Sequence, residues 1–163
     1  MRESANAGSS PQDVALLRDR EANTALVRRV YEECLNHGNL ALLDELIDER
    51  LVDHSLFGGG TGHESFKQRF RAVRSAFPDA IMTIEDSIAV GDKVACRWTL
   101  HATHTGPFGA VAPTGRHVVV SGMNICRVRS GKVVEHWANF DHLGLLQQLG
   151  VMTPRGTQPS TGA

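Results

Sequence analysis

A chain of 163 residues with 17 basic and 18 acidic side chains has the size of one domain. Its near-balanced charge offers no basic surface of the kind that tracks phosphates, which argues against nucleic acid as a partner. No run of about 18 apolar residues is present to cross a bilayer, and Met1-Arg2-Glu3-Ser4-Ala5-Asn6 lacks the apolar stretch of a signal peptide; a cytoplasmic protein with no membrane partner is expected.

Residues 1–12 are rich in Ser, Gly and Asn and read as a disordered tail ahead of a single domain over 13–152. From about Asp13 the spacing is helical: Leu26, Val27, Val30, Tyr31, Cys34 and Leu35 form an apolar stripe opposite Arg28, Arg29, Glu32 and Glu33. Asn36-His37-Gly38-Asn39 stops this helix. A second helix over 40–47 turns Leu43, Leu46 and Ile47 inward, and 51–55 looks extended. Gly58-Gly59-Gly60 breaks the chain. A third helix, starting near Gly62, sets Phe66, Phe70, Val73 and Phe77 on one face until Pro78 ends it.

Beyond Pro78 the periodicity becomes two. Segments 80–90, 93–104, 117–129 and 132–140 read as strands, joined by Gly91-Asp92, by a long loop over 105–115 and by the tight turn Ser130-Gly131. Loops as long as the second of these often form lids or rims of sites. A short helix closed by Gly150 follows, and residues 153–163 read as a second disordered tail. Helices first and a strand meander afterwards define an α+β domain. Its curved antiparallel sheet, wrapped by the N-terminal helices, encloses a cone-shaped pocket.

Alternation along the last strand puts Val133, Glu135, Trp137, Asn139 and Asp141 on one face, leaving Val134, His136, Ala138 and Phe140 on the other. A carboxylate beside aromatic walls loses hydration and its pKa rises toward the range useful for a general acid or base. Asp141 is therefore the leading catalytic candidate, with capping of the following helix as its alternative role. Cys34, Cys96 and Cys126 form no closely spaced pair, so reduced thiols are expected. His101 and His104 point to opposite strand faces and no His-x-x-x-His falls on a helix, so no metal site is expected.

Taken together, Val52-Asp53-His54, Phe77-Pro78-Asp79, Thr103-His104-Thr105-Gly106 with Pro113-Thr114-Gly115, and the segment 131–150 resemble the SnoaL-like polyketide cyclases, or ester cyclases, over about residues 23–150. The resemblance implies a cone fold shared with ketosteroid isomerase and scytalone dehydratase. It also implies a cofactor-independent intramolecular aldol closure of a small hydrophobic, polyketide-like substrate, with an aspartate near the end of the last strand moving the proton. Asp141 matches that aspartate. His54 and His104 stand where the resemblance is strongest, and either can donate to an enolate oxygen or carry a proton. Asn124 can orient the substrate, Arg97 can anchor a carboxylate or ester or form a salt bridge, and Trp98 and Trp137 can stack on a flat ligand. Alternation lets only one of Arg97 and Trp98 face inward unless a bulge intervenes. Isomerase chemistry on this fold would want a tyrosine in the oxyanion site, and the only tyrosine, Tyr31, lies on the first helix. A dehydratase built on His54, His104 and Asp141, an isomerase, and a non-catalytic small-molecule-binding dimer are the rival readings. Apolar strand surface on the convex side would favour a homodimer.

Overall fold

The computed structural model describes residues 10–55 and 60–152. Most of both expected tails, and Gly58-Gly59, lie outside these residues. Pro11 and Gln12, expected in the first tail, instead form the opening turn of α1 (Pro11–Arg29). A capping box explains the earlier start: the Ser10 hydroxyl accepts the Asp13 N–H while the Asp13 carboxylate accepts the Ser10 N–H. Pro11 occupies the position where a missing N–H does no harm.

α1 runs directly into a π-helical segment, Val30–Asn36. The apolar stripe recurs every four residues and so drifts around a 3.6-residue turn; the wider π turn brings Tyr31, Cys34 and Leu35 back toward the core, where all three are buried. A 3-10 turn (Leu40–Leu42) and the short α2 (Leu43–Leu46) follow. α3 (His63–Ala76) buries Phe66, Phe70 and Ala76, and Phe77 is buried just past its end.

One six-stranded sheet is built from β1 (Ile47–Asp53), β2 (Gly60–Thr61), β3 (Ile81–Val90), β4 (Lys93–Thr103), β5 (His117–Arg129) and β6 (Lys132–Phe140), in the order β2-β1-β6-β5-β4-β3. β3 to β6 form the antiparallel meander that alternation indicates. Ser130 and Gly131, at φ 49° and 73°, make its last turn, a two-residue hairpin that requires positive φ at both positions. β1 departs from the expected pattern by pairing parallel to β6. α4 (His142–Leu149) ends on Gly150 in the left-handed region.

The inner sheet face buries Val94, Cys96, Trp98 and Leu100 of β4 and Val118, Val120, Asn124 and Cys126 of β5 under the helices. The outer face leaves Val119, Met123 and Ile125 of β5 exposed. Among the described residues, no helix is long and apolar enough to cross a membrane.

Candidate active site

Between the π segment, α3 and the inner faces of β4, β5 and β6 lies a cavity of about 170 Å³. Aromatic and aliphatic side chains make most of its wall, among them Phe70, Phe77, Trp98, Phe108 and Phe140. The polar residues on this wall are Tyr31, Ser55, Arg69, Asn124, His136 and Asn139.

The parallel register sets Asp53, the last residue of β1, opposite His136 of β6. The Asp53 side chain is fully buried. Its Oδ1 accepts from His136 Nδ1 at 2.9 Å, from the Ser55 hydroxyl at 2.6 Å and from the Ser55 N–H at 3.0 Å. Its Oδ2 accepts from the Arg69 guanidinium, which lies over the Phe66 ring, 4.2 Å from the centroid. Burial alone would raise the Asp53 carboxyl. The hydrogen bonds from His136 and Ser55 and the Arg69 charge outweigh it and hold the group well below the usual carboxylate range.

An ionised Asp53 fixes the imidazole tautomer. With the proton on Nδ1, His136 presents the Nε2 lone pair to the Tyr31 hydroxyl, which donates to it across 3.0 Å. Burial holds His136 below the ordinary imidazole range, opposed by the Asp53 hydrogen bond. Burial likewise pushes the Tyr31 phenol well above its ordinary value, so it stays a donor. A neutral imidazole backed by an anion, next to a phenol and a guanidinium on an apolar cavity, can take up a proton and stabilise a developing oxyanion. Among the described residues, no three His, Cys, Asp or Glu side chains converge to hold a metal ion.

A bulge decides which residues of β6 face this cavity. Val133 opposes Val128 and Glu135 opposes Arg127, leaving Val134 as the extra residue. Val133 and His136 are therefore both buried, and Ala138 and Phe140 follow His136 onto the cavity wall. Unbroken alternation from Val133 assigns Trp137 and Asp141 to that face, and the extra residue corrects it.

The other candidates separate accordingly. Asp141 is exposed; as N-cap of α4 it accepts the Gly144 N–H at 2.8 Å, filling the space a side chain at Gly144 would need, and it does not line the cavity. His54 lies off the cavity, stacked on Trp137 with ring centroids 4.9 Å apart and Nε2 3.6 Å from Glu135 Oε1. Trp137 in turn has Lys93 and Arg127 over its ring. His104 is completely buried beneath the 105–115 loop, its Nδ1 accepting the Thr114 N–H and bonded to the Thr114 hydroxyl, with Phe77 and Phe108 against its ring. Trp98 and Asn124 do line the cavity. Arg97 is exposed on the opposite face, and Gly122, opposite Trp98, leaves the room that the indole occupies.

Sequence reasoning passes over Asp53, Ser55, Arg69 and His136, and it sets Tyr31 aside as a helix residue, whereas the π turn carries that hydroxyl onto the cavity wall. A signal for Asp53 exists: it follows Leu51 by two positions in an extended segment, so it shares the buried face of an apolar residue.

A family model described as SnoaL-like polyketide cyclase matches residues 25–149. Among solved structures, IdmH from Streptomyces antibioticus, a candidate polyketide cyclase, is 34% identical over 78% of this chain and 98% of its own, with a TM-score of 0.70. AclR from Streptomyces galilaeus, a candidate hydroxylase, is 28% identical over 83% of this chain and 89% of its own, with a TM-score of 0.74. A candidate SnoaL-like polyketide cyclase from Jannaschia sp. CCS1 shares the fold at 20% identity, with a TM-score of 0.76 over 90% of this chain and 99% of its own. No curated protein matches the sequence.

Proposed function

Because the chain belongs to the SnoaL-like polyketide cyclase family, we propose that it closes a ring in a small hydrophobic, polyketide-like substrate by a cofactor-independent intramolecular aldol reaction, with His136 rather than Asp141 moving the proton. The observation that carries this reading is the buried chain Asp53–His136–Tyr31, whose His136 and Tyr31 line the cavity.

In this reaction His136 Nε2 removes a proton from a carbon between two carbonyls, and the resulting imidazolium is stabilised by Asp53. Tyr31, freed from Nε2, and Arg69 donate to the enolate oxygen. The enolate carbon then bonds to a second carbonyl carbon of the same molecule, and the new alkoxide takes the proton back from His136, so none is gained or lost. General base assistance of this kind is worth roughly 10² to 10⁴ in rate, about 3 to 5 kcal/mol. A positioned oxyanion donor adds about 3 to 4 kcal/mol. The expected homodimer belongs to the same reading and is checked by light scattering.

Hydrogen–deuterium exchange at the acidic carbon of a 1,3-diketo ester, followed by NMR in D₂O, tests the assignment. Wild type is expected to accelerate exchange, His136→Gln to lose about 10²- to 10⁴-fold, and Asp141→Asn to keep the wild-type rate. Loss in Asp141→Asn with exchange intact in His136→Gln returns the proton transfer to Asp141. Tyr31 favours one second reading, an isomerase, because moving a proton between two carbons of one molecule needs the same base and oxyanion donor. Product analysis separates the two, since only the cyclase forms a new carbon–carbon bond.

A further inference from the structure

Asn124 sits on the inner face of β5, 2% exposed, with its side chain on the cavity wall. Its Nδ2 reaches only the Cys126 sulfur, at 3.6 Å, and its Oδ1 meets no donor. Ala138 across β6 has no side-chain donor, Cys96 across β4 has only a weak thiol, and the Tyr31 hydroxyl is directed to His136. An unpaired buried carbonyl destabilises the ligand-free protein, and an apolar side chain of the same shape would remove that penalty. The only other buried side-chain polar atom without a partner among the described residues, His104 Nε2, belongs to a residue that does not border the cavity.

Two polar stations on the cavity wall are set apart from each other. Tyr31, His136 and Arg69 form the station that can move a proton and hold an oxyanion, while the Asn124 carbonyl stands alone on β5 as an acceptor. Building on the cyclase reading, we propose that Asn124 is a specificity-determining residue whose Oδ1 accepts a hydrogen bond from a hydroxyl group of the substrate. The substrate class is then a ring system carrying a free phenol or enol, and an O-alkylated or fully ketonic analogue is disfavoured. A substrate held at both stations, with Trp98 and Phe77 along its apolar faces, can turn only one of several similar carbonyls toward His136. Asn124 thereby selects which ring closes.

Binding of 2-naphthol, 2-methoxynaphthalene and naphthalene, measured by isothermal titration calorimetry, tests the assignment on the full-length protein. Wild type is expected to bind 2-naphthol at least about tenfold tighter than either analogue, the usual worth of satisfying one buried polar group. Asn124→Leu is expected to bring the ratio close to one while melting no lower than wild type, and Asp141→Asn, off the cavity, to leave the ratio unchanged. A wild-type ratio near one, no 2-naphthol binding at millimolar concentration, or a ratio that survives in Asn124→Leu would overturn the proposal. If the leucine variant does not fold, Asn124→Ala carries the same comparison. Deuterium exchange judges the cyclase reading independently: a wild-type protein that keeps the binding ratio but does not accelerate exchange defeats that reading alone, and one that accelerates exchange without the ratio defeats only the role of Asn124.

Discussion

Asp53 and Asp141 both stand where a strand ends, yet they are opposite in everything that determines chemistry. Asp53 closes β1 with no side-chain exposure and with donors from β6, α3 and its own turn. Asp141 follows β6 in the open and serves one helix N–H. The difference comes from what crosses the end of each strand. The parallel pairing of β1 with β6 lays His136 beside Asp53 while α3 brings Arg69 over it. At Asp141 the chain turns straight into α4, whose first turn claims the carboxylate. An aromatic neighbour in sequence dehydrates a carboxylate only if it shares its face, and Trp137 stacks on His54 away from the cavity.

The comparison can be broken most decisively at Asp53. Asp53→Ala leaves the Arg69 charge without its buried partner and should lower stability by about 3 to 5 kcal/mol, read as a shift in the urea midpoint. A midpoint close to that of wild type would mean that the carboxylate contributes no more than a surface group.

Acidification should sharpen the contrast. His136 titrates lower in the fold than in the unfolded chain, so its contribution is complete above the ordinary imidazole range near 6.5 and is lost as pH falls below it. Asp53, also held low, adds its loss only below the ordinary carboxylate range, about pH 4. Urea midpoints should therefore decline in two stages between pH 8 and 3. A flat profile down to pH 4 would contradict the buried neutral imidazole.

The smallest effect is expected at the exposed carboxylate. Asp141→Ala should remove a helix cap worth about 0.5 to 2 kcal/mol and leave deuterium exchange unchanged. Asp141→Asn, which can still accept the Gly144 N–H, should recover most of that stability in thermal melts.

Much of the architecture could be read from local pattern. The bounds of β5 and β6 follow from a two-residue turn flanked by alternating strands, and the phenylalanine spacing of α3 from helical geometry. The opposite directions of Trp98 and Arg97 follow from alternation. The site was harder to read because its parts are distant in sequence: Tyr31 lies 105 residues from His136. One unpaired residue, Val134, reverses the faces of β6 and hides His136. In Val52-Asp53-His54 the histidine draws attention, although the aspartate shares the buried phase of Leu51.

The pairing of β1 with β6 also sets an order of events during synthesis. Asp53 and His136 are separated by 83 positions, so at 5 to 20 residues per second a ribosome needs roughly 4 to 17 s to supply the imidazole after the carboxylate emerges. Through that interval the growing polypeptide carries Asp53 with its Arg69 partner already made but its imidazole partner not yet translated. The Asp53–His136 pair is complete only once the final hairpin has emerged, and any lesion that delays that hairpin exposes the unfinished chain to chaperones and proteases for longer.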